Sequence, residues 1–306
     1  MGQIVSEIVK SRKTFFIAPD KDLISEYFLE DYLAKDYECY FIENDMYQSM
    51  ETKIQVILSI FPDAILFFNI DFHIDGIEWF SFIQKISNEH PRVCLGVLYA
   101  KRKTLAEKAA IEHKYLYNIG LAGGCIQLEY QKNINFVLIE RVLYANQAMG
   151  RRKNVRAVCT KNCQFSFMNS HQENVTYPLN DISVSHFSIT LSPVQAETLR
   201  VKEYEKIQNL CFVIKGMRFV SDAILYMKRE TAEGILFVFA FVSDNGKIGL
   251  DSFKKKQIVQ KMHEIMTENC TSLIESNCET FRHKKTFVLP KKNQINFDGN
   301  ANMQIV

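Results

Sequence analysis

PDAILFFNIDFHIDG, residues Pro62 to Gly76, holds five consecutive apolar residues (Ala64 to Phe68) between a Pro-Asp entry and an Asp-Gly exit. A short apolar run closed by turn residues, with no polar alternation, reads as a strand buried on both faces, as in a parallel sheet. Similar runs recur on either side: TFFIA (Thr14 to Ala18) and ECYFI (Glu38 to Ile42) before it, VCLGVLY (Val93 to Tyr99) and CIQL (Cys125 to Leu128) after it. Helical stripes alternate with them. One carries Leu23, Ile24, Tyr27, Phe28 and Tyr32, a second Met50, Ile54, Ile57 and Leu58; a Lys-rich helix follows from Lys103 to His113, and a last one runs from about Gln131 to Met149. Gly123-Gly124 marks a turn. Five βα units over residues 14–147 predict an α/β domain built on a five-stranded parallel sheet.

The texture changes at Ala157. AVCTKNCQFSFM (Ala157 to Met168), ENVTYPLNDI (Glu173 to Ile182), HFSITLS (His186 to Ser192), NLCFVI (Asn209 to Ile214), MRFVSDAILYMKR (Met217 to Arg229) and GILFVFAFV (Gly234 to Val242) read as strands separated by turn residues. One helix, from Asp251 to about Glu268, follows. Six strands and a helix predict a small closed barrel. The expected division is 1–149 for the α/β domain, 150–275 for the barrel and its helix, and 276–306 for a tail.

At 306 residues the chain is long enough for two domains, and its 47% hydrophobic and 24% charged composition is that of a globular protein. Residues 1–147 carry 15 Lys and Arg against 20 Asp and Glu, and residues 148–306 carry 22 against 15. The basic second half suits an anionic partner. No apolar run is long enough to cross a bilayer, and MGQIVSEIVKSRK is wrong for a secretory signal. Eight cysteines without a Cys-x-x-Cys pair are expected to be reduced thiols in a cytoplasmic protein, and no metal site is expected. Cys159 and Cys163, four apart in the apparent strand, are expected to share a face. No helix-turn-helix is present, and DNA is not an expected partner. No nucleophile with its base, metal-ligand set or paired carboxylates argues for an enzyme.

The order and spacing of the first half resemble the receiver domain of bacterial two-component systems, with Pro62 to Gly76 as the third strand and its loop. The resemblance implies a flavodoxin-like sheet. It also implies an acidic pair for Mg²⁺, an acceptor Asp, a hydroxyl residue and a Lys at successive strand ends. Those parts are altered here. Phe68 or Asn69 stands at the acceptor position, the acidic pair is reduced to Asp20 behind Pro19, Tyr99 replaces the hydroxyl residue, and QLEY (Gln127 to Tyr130) lacks the Lys. A degenerate domain, serving as a binding module, is expected.

RRKNVR (Arg151 to Arg156) stands just before the first strand of the second half, and NDISVSHFSI (Asn180 to Ile189) follows about 25 residues later. Arg152-x-x-x-Arg156 is similar to the RxxxR of PilZ domains, and Asp181-x-Ser183 entering a strand with Phe187 and Ile189 is similar to their DxSxxG segment. The resemblance covers roughly residues 150–269 and implies a PilZ-like β-barrel whose ligand is cyclic di-GMP, with no other cofactor. Arg151, Arg152, Arg156, Asp181, Ser183 and His186 are then the expected ligand-binding residues. Arginine suits such a ligand because its planar fork meets both phosphate oxygens and guanine O6 and N7. Asp181 can accept from a guanine edge, and Ser183 can donate or accept beside it. His186 stands where the family has Gly; an imidazole can stack on a base or fill the pocket. The implied function is a signalling adaptor that relays cyclic di-GMP occupancy to a protein partner through the receiver-like domain. The alternative is a ligand-independent adaptor in which both domains are degenerate. Gly150 is expected to end the last helix of the first half and to act as the pivot between domains.

The missing acceptor gives a direct test. Incubation with acetyl phosphate is expected to leave the protein unlabelled; acid-labile labelling that disappears in Asp71→Ala would instead make Asp71 a working acceptor.

Overall fold

The computed structural model describes residues 11–100, 104–150, 153–168, 172–199 and 201–286, with the main chain alone at 198 and 281–286. The first half is a five-stranded parallel sheet of β1 (Lys13–Ile17), β2 (Glu38–Ile42), β3 (Ile65–Asn69), β4 (Cys94–Tyr99) and β5 (Cys125–Gln127) in the order β2-β1-β3-β4-β5. That order is flavodoxin-like. Alternate residues of each strand feed two cores, Phe15 and Ile17 with α2 (Met50–Ile60) and α3 (Trp79–Glu89), and Phe16 with α1 (Tyr27–Ala34) and α5 (Lys132–Ala145). Every residue of β3 and β4 is buried, as continuous apolar runs require. Where the backbones of β4 and the β5 approach come together, a Cβ on Gly123 would lie 2.8 Å from the Leu95 carbonyl oxygen, so only glycine fits.

The helices depart from expectation in three places. Tyr27, expected on the buried stripe, is 76% exposed, because Leu23 and Ile24 lie in the turn before α1 and the stripe begins at Phe28. α4 (Leu105–Glu112) starts with a Thr104/Glu107 capping box and runs into a π-helical turn, His113–Tyr117. α5 ends four residues earlier than expected. Gln147, at φ 53°, takes the left-handed role assigned to Gly150, and the Ala148 amide bonds back to Leu143 O at 3.0 Å.

The second half is an antiparallel sheet of eight strands, not six: β6 (Ala157–Val158), β7 (Cys163–Met168), β8 (Asn174–Pro178), β9 (Asp181–Ile182), β10 (His186–Leu191), β11 (Lys206–Ile214), β12 (Met217–Thr231) and β13 (Gly234–Val242). Two of the expected strands are each broken by a turn, one around Asn162 (φ 66°), the other at Leu179-Asn180. Cys159 and Cys163 therefore sit on opposite sides of a turn, and all eight cysteines are thiols. The order is β6-β9-β10-β13-β12-β11-β7-β8. Phe165 on β7 and Phe187 on β10 lie four strand steps apart in that order, about 19 Å in a flat sheet. Their rings are 5.3 Å apart. The sheet is therefore curled into a half-barrel around Phe165, Phe187, Phe212, Phe239 and Phe241. A short helix, α6 (Pro193–Leu199), follows β10 and went unread in the sequence.

The last helix, α7 (Ser252–Thr286), is twice the expected length and crosses the 275/276 boundary without a break. It buries Ile258, Val259, Met262, Ile265, Met266, Cys270, Ile274 and Cys278 in a cluster shared by both sheets. α7 packs on α1 and α2, which flank β2 on opposite faces, and on β6; Asn269 donates to Val158 O at 2.8 Å. The exposed edge of the parallel sheet is thus covered by a helix of the other half. A pivot at Gly150 alone would have to break these contacts, so the connection there does not leave the halves free to rotate. Truncating this shared stripe with Met262→Ala is expected to cost about 2–5 kcal/mol. The intact protein is expected to unfold in one calorimetric transition; two resolved transitions would contradict a common core.

Candidate functional site

β9 lies between β6 and β10, with Val158 and Ser188 directly opposite Asp181 on its two sides. Ile182, Phe187 and Ala157 alternate into the half-barrel core, so Asp181, Ser188 and His186 share its outer face. Arg156, one residue before β6, arrives beside Asp181, its Nη1 3.5 Å from Asp181 Oδ1, with both side chains about a quarter exposed (30% and 25%). At that distance the pair is an ion contact and not a good hydrogen bond. Asp181 Oδ1 is buried with no hydrogen-bond partner among the described residues, and so is the Oγ of Ser188, a residue only 2% exposed. Two buried polar atoms on neighbouring strands without a hydrogen bond among the described residues are unusual in a folded protein.

Ser183 and His186 occupy different roles. The Ser183 hydroxyl donates to His186 O (3.0 Å) and accepts from the Ser185 and His186 amides (3.3 and 2.9 Å). Its polar capacity is spent on the β9–β10 turn, and it is 1% exposed. It shapes the turn that sets Asp181 and His186. His186 sits opposite Ala240 of β13, and its ring meets that of Tyr226 on β12 at 5.8 Å and 79°, so the two aromatic side chains close over the small Ala240. Burial, then the Arg156 charge, push the His186 imidazole below its usual range, with Asp181 pulling the other way. Arg151 and Arg152, expected to complete the arginine fork, lie outside the described residues.

Sequence reasoning missed Ser188 and Tyr226. Ser188 follows His186 by two on the same strand, a signal that strand periodicity carries. Tyr226 carries none, because a register shift between Leu225 and Met227 decides which way it points. In the first half, Asn69 is buried at the end of β3. Its Nδ2 donates to Ala18 O at 3.0 Å and its Oδ1 accepts from the Asp71 amide at 3.1 Å. Asp71 Oδ2 accepts from the Ala100 amide at 2.6 Å, and Asp20 Oδ1 accepts from the Asp22 amide at 3.0 Å. Among the described residues no cluster of His, Cys, Asp or Glu could hold a metal ion, and no helix is long and apolar enough to cross a membrane.

No family model matches the chain, and no curated protein matches it. Among solved structures it is similar to the PilZ domain with c-di-GMP of YcgR from Escherichia coli, at 15% identity and TM-score 0.29, over 45% of this chain and 99% of that one. It is also similar to the Bacillus subtilis inhibitor of motility MotI/DgrA, at 13% identity and TM-score 0.28, over 37% of this chain and 50% of that one. A third similar structure is the K. pneumonia MrkH–c-di-GMP complex, at 10% identity and TM-score 0.28, over 44% of this chain and 56% of that one. The matches to the latter two span about half the length of those proteins.

The balance of charges around His186 is testable. An NMR titration is expected to place its midpoint below 6.5, since burial and Arg156 disfavour the cation. Because the folded value lies below the unfolded one, the neutral ring contributes stability that is lost as pH falls below about 6.5. Arg156→Met should move the midpoint up and Asp181→Asn should move it down; shifts of the opposite sign would remove these residues as its electrostatic neighbours.

Proposed function

We propose that this protein is a cytoplasmic cyclic di-GMP effector, non-enzymatic, that relays ligand occupancy to a protein partner through its first domain. The observation that carries this reading is the meeting of Arg156 and Asp181, from two separate motifs, on an outer sheet face. Beside them Asp181 Oδ1 and Ser188 Oγ lie buried without hydrogen-bond partners among the described residues. A guanidinium supplies the phosphate or guanine contact, and the carboxylate and hydroxyl match the donors of a guanine edge. A bound base would satisfy polar atoms that otherwise keep their desolvation cost of about 1–3 kcal/mol each. Arg151 and Arg152, just upstream, extend the cationic arm in sequence. Ser183 acts within the turn.

One observation favours the ligand-independent adaptor instead. His186 and Tyr226 lie against each other over Ala240, on the surface a planar base would use. In the ligand reading, one of these rings swings aside or stacks on the base.

Calorimetric titration of the full chain with cyclic di-GMP decides between them. Binding is expected, with Arg152→Ala and Arg156→Ala each weakening it about ten- to a hundredfold, or 1–3 kcal/mol. Asp181→Ala should cost less, since a hydrogen-bonded edge is lost and not a charge-assisted fork. Absence of heat at high micromolar ligand would hand the function to the adaptor reading.

A further inference from the structure

The strand that brings Tyr226 to His186 changes sides on the way. In β12, Phe219, Ala223 and Leu225 point into the half-barrel core, which leaves Ile224 on the outer face opposite Ala240. The register shift between Leu225 and Met227 inserts Tyr226 as an extra residue, and the alternation beyond it is reversed. Lys228 lies opposite the core residue Phe237, with its Nζ 5.5 Å from the ring centre. Met227 and Arg229, which an unbroken strand would turn inward, therefore face out.

Cross-strand pairing lays out this outer face in rows. Asp181, Ser188, Val238 and Met227 stand in line across β9, β10, β13 and β12. Thr190, Leu236 and Arg229 form the row on one side of it, and His186, Ala240 and Ile224 the row on the other. The candidate site thus runs on to β12 over an apolar floor at the buried Val238 and Ala240. Charge is uneven along it. Arg156 stands beside Asp181, so those two charges cancel. Arg229 is exposed, with Leu236 opposite it and no ion-pair partner among the described residues. The two rings above the floor also differ. His186 Nδ1 is bonded to Ser185 Oγ at 2.8 Å, and Ser185 Oγ donates to Asn154 Oδ1 at 2.7 Å. Tyr226 is half exposed, and its hydroxyl has no hydrogen bond among the described residues.

We infer that β12 beyond its bulge is the far wall of the candidate ligand site: Arg229 meets an anionic group of the ligand, and Tyr226, the untethered ring, moves to admit a base while His186 stays. This rests on the ligand reading above. β12 lies three strand steps from β9, about 14 Å in a flat sheet, a span that a molecule of two bases joined by two phosphates can bridge. A guanidinium takes a phosphate through two parallel hydrogen bonds, and Arg229 gives up no ion pair in doing so. A purine laid over Val238 and Ala240 replaces the edge contact between Tyr226 and His186 with stacking.

Calorimetric titrations of the full chain with cyclic di-GMP at low salt test the contact. Arg229→Met is expected to weaken binding about tenfold, and Arg229→Lys to restore part of it. Lys228→Met removes the same charge from the adjacent, inward-facing residue and should stay within about twofold of wild type. Equal losses in the two methionine variants would reduce Arg229 to a diffuse field, and no loss in Arg229→Met would remove it from the site; either result overturns the inference. Nuclear Overhauser spectra of the free and saturated protein report the rings. On saturation the contact between the His186 and Tyr226 rings should vanish while that between His186 and the Ala240 methyl persists. A His186 that leaves Ala240, or a His186–Tyr226 contact that survives saturation, overturns the role of Tyr226. If wild type gives no heat, the ligand reading falls and the wall with it; if wild type binds and Arg229→Met matches it, the reading stands and the wall alone fails.

Discussion

Helix α7 can be buried only if two surfaces supply its cover. Its apolar residues from Ile258 to Cys278 follow one stripe about 30 Å long, at 1.5 Å per residue. The half-barrel meets it chiefly at the two-residue β6, while α1 and α2 of the first half take the remainder. Neither half closes its core without the other. That constraint sets the relative placement of the sheets, covers the β2 edge, and brings Asp36, at the end of α1, against the segment that leads into β6. A linker glycine contributes little beside it.

The candidate site inherits its geometry from the same place. β6 is short and lies at the sheet edge, so its position depends on pairing with β9 and on α7 behind it. Arg156 sits one residue upstream of that strand, and small shifts of β6 are therefore shifts of its guanidinium. The Asp181 and Ser188 oxygens that lack a hydrogen bond among the described residues lie on the adjoining strands, where the β9–β10 turn is pinned by Ser183. A stiff turn thus stands next to an arm anchored through the Val155 amide to Asp36 and through Val158 to Asn269.

Much of this architecture is legible in the amino-acid sequence. β1 to β5 stand out because strands buried on both faces need unbroken apolar runs, and GILFVFAFV marks β13 to the residue. The curled sheet is undercounted because Asn162 and Leu179-Asn180 interrupt stretches whose composition stays strand-like; the first break has no Gly or Pro beside it, while Pro178 and Asn180 do mark the second. α7 is cut short because residues 269–280 are rich in Asn, Ser and Thr, weak helix formers, while the buried stripe runs on at helical spacing through Cys270 and Ile274 to Cys278. Arg156 and Asp181 are legible as two motifs. Ser183 has the expected position but a structural role, visible only once its hydrogen bonds are placed. Asp36 and Tyr226 are beyond sequence reading, since one acts across 119 residues and the other depends on a bulge.

In the first half, buried and half-buried polar side chains tie together the ends of the parallel strands. A carboxylate at position 69 could not donate to Ala18 O; the amide of Asn69 does, tying the ends of β1 and β3 together across the mouth of the sheet. Asp71 extends the same bracing to Ala100 after β4, and Trp79 Nε1 fastens the β3 loop through Phe72 O at 2.8 Å. The strand ends are braced in this way, and the same scaffold carries the contacts to α7 and to the arginine arm. Rigidity suits that second role, because Asp36 holds the Val155 amide at 3.0 Å and a moving helix end would carry the arm with it.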